Sequence, residues 1–155
     1  SRYLDIPKKE VPESEADVVA GLEAEDGFTT QMKAGNHTFL ADEPIKAGGK
    51  DYGPTPYQFL SSGLASCTSM TLQMYAKRKD WPLEDVETHV HYSREHSTDC
   101  KNCEEKTSKI DTFRREIKLV GDLDEKQKQR LLEIADRCPV HRSLTSETNI
   151  TTKLI

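Results

Sequence analysis

The stretch Tyr52-Gly53-Pro54-Thr55-Pro56-Tyr57-Gln58-Phe59-Leu60-Ser61-Ser62-Gly63-Leu64-Ala65-Ser66-Cys67-Thr68-Ser69-Met70-Thr71-Leu72-Gln73-Met74-Tyr75-Ala76 runs 25 residues without a charge, in a chain that is 32% charged. From Tyr57 to Ala76, 11 residues are apolar, one is Gly and eight are Ser, Thr or Gln. Lipid would demand a more apolar run, so the stretch predicts a helix enclosed by protein. Its start is marked by Thr55 at the cap, Pro56 at the first helical position and Gln58 at the third. Leu60, Leu64, Cys67, Met70 or Thr71, and Met74 then recur at helical spacing. Gly63, Ala65 and Ser66 are small enough for close packing or a break. The expectation is a central helix that the rest of the chain wraps.

Outward from this segment, the pattern turns strand-like. Gly27 to Lys33 and Asn36 to Ala41 flank a turn at Ala34-Gly35 and predict a hairpin. Ile45 to Gly53, with Gly48-Gly49, reads as loop. After Trp81-Pro82, Val86 to Tyr92 alternates with period two; Phe113, Arg115, Ile117 and Leu119 do the same. Asp124 to Arg137 predicts an amphipathic helix using Leu131, Leu132, Ile134 and Ala135, and Pro139 disfavours helical geometry at Cys138. Thr145 to Ile155 reads as a final strand. Strands in hairpin-like groups around two helices give an α+β class. Residues 1–17, rich in Lys, Glu and Pro, read as an arm or linker before a domain spanning 18–155.

The core is thin. Leu, Ile, Val and Phe number 13, 7, 7 and 4 among 155 residues, about 20%, at the edge of what sustains a fold. A second copy of the chain is the natural supplement. A net charge of −5 without a basic cluster argues against nucleic-acid and anionic-membrane surfaces. No run of 18 apolar residues suits a bilayer, and Ser1 to Asp17 lacks the apolar core of a signal peptide. The expected compartment is the cytoplasm, where four cysteines read as thiol chemistry or metal ligands, not as a disulfide scaffold. The missing initiator Met suggests a processed or excised chain.

Cys67 supports two readings, a small buried hydrophobe or a reactive thiol beside an apolar pocket. A free thiol titrates near 8.5, so lowering it by about three units takes roughly 4 kcal/mol. The Thr55 end of the helix is too distant to supply this unless the helix restarts near Gly63. Cys138, placed at a helix C-terminus, would be the poorer thiolate, or merely a packed side chain. Should the two meet, Cys67 attacks and Cys138 resolves. Cys100-Lys101-Asn102-Cys103, preceded by His96, is a single C-x-x-C; it is open to a labile disulfide, to zinc or to no function.

Gly53-Pro54-Thr55-Pro56-Tyr57, Leu64-Ala65-Ser66-Cys67-Thr68-Ser69-Met70-Thr71 and Cys138-Pro139-Val140-His141-Arg142-Ser143-Leu144 resemble the OsmC/Ohr family of osmotically inducible and organic-hydroperoxide-resistance thiol peroxidases. The similarity covers roughly Val18 to Ile155 and keeps both cysteine blocks in order. It implies antiparallel sheets wrapped around buried central helices in an intertwined homodimer. It also implies a peroxidatic Cys67, a resolving Cys138, no metal or organic cofactor, a small-molecule hydroperoxide as substrate and an external dithiol as reductant. Apolar walls from Phe59, Leu60, Leu64, Met70 and Met74 favour organic hydroperoxides.

The chain departs from the hydroperoxide-resistance branch. Tyr57 stands where that branch has a Glu ten residues before the first cysteine, and no Arg lies between Arg2 and Arg78 to fill the early-strand position. His37-Thr38-Phe39-Leu40-Ala41-Asp42-Glu43-Pro44 instead looks like a divergent branch, some members of which carry such a domain behind an α/β-hydrolase. Lys33, His37 and Arg142 are the substitute cations in chain logic, with Glu43 as an orienting carboxylate. The competing functions are a redox sensor or thiol-binding module of the same fold, and a zinc protein using Cys100, Cys103 and nearby histidines such as His96.

Overall fold

Thr55 and Gln58 exchange the two hydrogen bonds of a capping box, at 2.9 and 3.2 Å, and the helix they open, α1, runs Pro56–Arg78. These features come from a computed structural model, which describes residues 9–96 and 109–155. The described elements are strands β1 (Val18–Gly21), β2 (Thr30–Ala34), β3 (His37–Ala41), β4 (Leu83–His96) and β5 (Lys109–Gly121), with helices α1, α2 (Glu125–Ala135) and α3 (Pro139–Thr145). Two compact units result, one ending at Phe59 and one running Leu60–Ile155.

The first unit holds an antiparallel sheet in the order β1-β2-β3. The hairpin turn falls on Gly35 and Asn36, one residue later than expected. Gly35 takes φ 58°, which suits the first central position of a two-residue turn. Before β1, Lys9 pairs with Glu23 and Asp26 at 2.6 and 2.7 Å. After β3, the 2% exposed Asp42 organises the loop. Its carboxylate accepts from Thr29 Oγ1 at 2.8 Å and from the backbone N–H groups of Glu43, Lys50 and Tyr52. Phe59 packs on Phe39, ring centroids 5.4 Å apart.

The second unit builds on β4 and β5, an antiparallel pair running from Leu83↔Gly121 to His96↔Lys109 with a register shift between Leu83 and Asp85. Gly121 closes it with φ 147°, and a Cβ there would fall 2.0 Å from the Pro82 carbonyl oxygen. Leu72, Ala76, Leu83, Leu123, Leu131, Ile134 and Ala135 form the core. Ser69 Oγ and Thr88 Oγ1 share a hydrogen bond of 2.8 Å that ties α1 to β4. Arg130 donates to Tyr75 Oη at 3.1 Å and ties α1 to α2.

Three expectations need correction, and the alternatives left open at Gly63 are decided. The buried stripe of α1 is Leu64, Thr68, Leu72 and Ala76, spaced by four; Leu60, Met70 and Met74 lie on the solvent side, 46%, 70% and 59% exposed. Period 3.6 permits either stripe, and only the location of α2 and β4 selects one. The helix passes Gly63 without a break. Leu132 is also exposed, outside the face α2 buries. Finally, residues 146–155 form no strand: the chain turns helical at Pro139, and no strand among the described residues pairs with the segment beyond it.

Candidate thiol site

Pro139 does more than end α2. Proline fixes φ near the helical value and has no N–H to satisfy, so it starts helices well. Here it occupies the first position of α3, and Cys138 becomes the cap residue with its Sγ accepting from His141 N at 3.4 Å. The expectation that Cys138 faces the unfavourable end of a helix dipole is therefore wrong. It stands at an N-terminus, where backbone donors favour a thiolate.

Cys67 reaches the same place from α1. Both cysteines are unbridged; Cys67 is partly exposed and Cys138 wholly buried. Burial pushes Cys67 above the ordinary thiol range and the Cys138 sulfur adds to this, against the Val140 N–H and the Thr71 hydroxyl. Burial opposes the Cys138 thiolate too, yet Cys67, the His141 N–H, the Thr68 hydroxyl and the Val140 N–H together hold Cys138 below the ordinary range. Of the pair, the buried sulfur is thus the one whose thiolate is favoured.

One cation holds two of the residues that donate to Cys138, and the sequence reading passed it over. Arg115 is on β5 with its side chain 12% exposed. Its Nη1 donates to Thr68 Oγ1 at 2.9 Å and to the Ala135 carbonyl at 3.2 Å; its Nη2 reaches Asp136 Oδ1 at 2.9 Å and His141 Nδ1 at 3.1 Å. The signal was present in the alternation of Phe113, Arg115, Ile117 and Leu119: a charged residue in the inward register of a half-buried strand must find partners inside.

The other expected site residues are placed as follows. Arg142 is exposed on α3, and the main influences on both sulfurs come from other groups. Lys33 on β2, His37 at the exposed start of β3, Glu43 and Phe59 belong to the first unit. Leu64 is buried, while Leu60, Met70 and Met74 share the Cys67 side of α1 by helical spacing and are exposed. Cys100 and Cys103 lie outside the described residues, as does the side chain of His96. Among the described residues no cluster of three or more His, Cys, Asp or Glu is arranged to hold a metal, and no helix is long and apolar enough to cross a membrane.

The sequence model of the family described as OsmC-like protein matches residues 48–153, which include both cysteines. The chain belongs to the OsmC-like family. Solved structures agree on the fold. An OsmC-like protein from Mycoplasma pneumoniae superposes with a TM-score of 0.65 at 19% identity, over 86% of this chain and 89% of that one. The organic hydroperoxide resistance protein OsmC of Legionella pneumophila gives 0.60 at 16%, over 86% and 92%. The organic hydroperoxide resistance protein OhrB of Bacillus subtilis gives 0.57 at 20%, over 83% and 88%. A search of curated protein sequences finds no match.

Proposed function

We propose that this OsmC-like chain is a thiol-dependent peroxidase that reduces organic hydroperoxides with Cys67 as nucleophile and Cys138 as resolving thiol. The observation that carries the reading is the unequal exposure of two adjoining sulfurs. Cys138 is 0% exposed and cannot meet a peroxide first; Cys67 is accessible and lies on the side of α1 that carries Leu60, Met70 and Met74. Those apolar side chains suit an alkyl substituent on the peroxide.

The order of events follows from the buried sulfur being the one favoured as thiolate. Cys67 passes its proton to the Cys138 thiolate and its own thiolate attacks the terminal peroxide oxygen. The S–O bond forms as the O–O bond breaks, leaving a Cys67 sulfenic acid and an alkoxide that takes a proton to become the alcohol. Sulfur is oxidised by two electrons and the peroxide reduced by two. Cys138, again a thiolate once its proton has left, attacks the Cys67 sulfur; the disulfide forms and hydroxide leaves, protonated to water. An external dithiol restores both thiols by exchange. Neither a metal nor an organic cofactor enters any of these steps.

The apolar side of α1 and the two-stranded β4-β5 sheet also fit a homodimer. A two-stranded sheet is marginal alone, and exposed Met70 and Met74 are surface that a second copy would bury. A cytoplasmic location accords with the reducing conditions that keep such thiols ready.

A redox sensor or thiol-binding module is the second reading, favoured by the fact that Cys67 titrates above the ordinary thiol range. Stopped-flow mixing of the reduced protein with cumene hydroperoxide separates them. The peroxidase reading expects thiol loss at least a hundredfold faster than for free cysteine at pH 7; a rate equal to free cysteine supports the sensor.

A further inference from the structure

We propose that Arg115 is the positioning residue of the thiol pair: held by Asp136 and the Ala135 carbonyl, it fixes the Thr68 hydroxyl and the His141 ring so that their elements present donors to Cys138. This rests on the peroxidase reading only for its consequence in turnover; the positioning itself is a matter of geometry.

Three features carry it. First, Thr68 is wholly buried, and its single hydroxyl proton faces two acceptors, the Leu64 carbonyl at 2.7 Å and the Cys138 sulfur. By donating to Thr68 Oγ1 at 2.9 Å, Arg115 occupies a lone pair and leaves that proton for those acceptors. Second, Arg115 Nη2 lies 3.1 Å from His141 Nδ1. A guanidinium only donates, so Nδ1 is the acceptor of this contact, with Asp136 Oδ1 3.8 Å from the same nitrogen. This anchors α3 by its third residue, the one whose backbone N–H reaches Cys138 Sγ. Third, the guanidinium is itself fixed: Asp136 at 2.9 Å and Ala135 at 3.2 Å hold it at the end of α2. The charged and titratable groups joined in this network are Arg115 from β5, Asp136 after α2 and His141 on α3.

Thiolate absorbance titrations of the reduced full chain, in a Cys100→Ser, Cys103→Ser background, test this. The parent shows two steps, one below and one above the ordinary thiol range. In Arg115→Gln the lower step rises by about one pH unit, equivalent to about 1.4 kcal/mol. Arg115→Lys recovers under half of that, because an ammonium cannot reproduce the fork. Thr68→Val raises the same step while Thr68→Ser leaves it in place, and Arg115→Gln adds less than its full effect on top of Thr68→Val. A lower step that stays put in folded Arg115→Gln overturns the proposal. Should that variant not fold, an unmoved step in Thr68→Val overturns it equally. Peroxide consumption is recorded alongside: an Arg115-dependent step in a chain that consumes no hydroperoxide rejects the peroxidase reading and keeps the positioning role.

Discussion

Cys67 on α1 and Cys138 at the cap of α3 act on each other's titration, the first raised and the second lowered, so two residues far apart in sequence form one thiol pair. Charge and access are thereby divided. The buried sulfur is the one whose thiolate is favoured, and turnover under the proposed mechanism requires a proton to pass from Cys67 to Cys138. Interacting thiols titrate as a pair, and their two steps belong to both.

Separating the steps of turnover is the first consequence. Cys138→Ser should still form a Cys67 sulfenic acid, but more slowly near neutral pH, because the thiolate that takes the Cys67 proton is gone. Dimedone should trap that acid in Cys138→Ser and nothing in Cys67→Ser. Equal first-turnover rates for Cys138→Ser and the parent at pH 6 would show that Cys138 only resolves.

Thr71 supplies the side-chain donor that favours the Cys67 thiolate. Hydrogen bonds to charged groups contribute about 1.5–3 kcal/mol, so Thr71→Val should slow sulfenic acid formation by about tenfold or more while leaving the unfolding midpoint nearly unchanged. Stopped-flow rates and urea melts on one preparation check both halves.

Asp42 supports the first unit through four accepted hydrogen bonds. Burial works against its charge, but the Glu43 N–H, the Thr29 hydroxyl and the Tyr52 and Lys50 N–H groups outweigh it and hold the carboxylate below its usual range. A carboxylate titrating lower when folded than when unfolded stabilises the fold above about pH 4, its unfolded value, and the gain disappears as pH falls through the folded value. Asp42→Asn should therefore cost about 1–3 kcal/mol at pH 7, with the difference from the parent shrinking below pH 4. A difference independent of pH from 7 to 3 would contradict this.

The two sides of α1 should answer mutation differently. Leu72 is 0% exposed, and Leu72→Ala should cost about 2–5 kcal/mol. Met70→Glu, at a site 70% exposed in the lone chain, should barely alter the folding of a monomer yet weaken the proposed homodimer by tenfold or more in sedimentation equilibrium. An unchanged dimer would remove this side from the interface.

Much of this was legible in the sequence because the signals were local. The Thr55–Gln58 box, the β2–β3 hairpin, the alternating strands and the Asp124 start of α2 each depend on residues a few positions apart. The choice of buried stripe on α1 was not local. Leu60, Met70 and Met74 are apolar and correctly spaced, but Thr68 is buried instead, because Arg115 and Cys138 give its hydroxyl partners that come from other elements. Cys138 was misread for a related reason: Pro139 ends one helix and begins another, and only the second role decides which pole the sulfur meets. The cation was sought near the cysteines in chain order, whereas β5 delivers Arg115 from 47 residues beyond Thr68.

The most direct measurement is peptide mapping of the fully reduced chain, carrying Cys100→Ser and Cys103→Ser, after one equivalent of an alkyl hydroperoxide under anaerobic conditions. The account predicts one Cys67–Cys138 disulfide per chain, one equivalent of alcohol, and no free thiol. Recovery of both cysteines as thiols with the peroxide intact, or of Cys67 oxidised while Cys138 stays a free thiol, would contradict it.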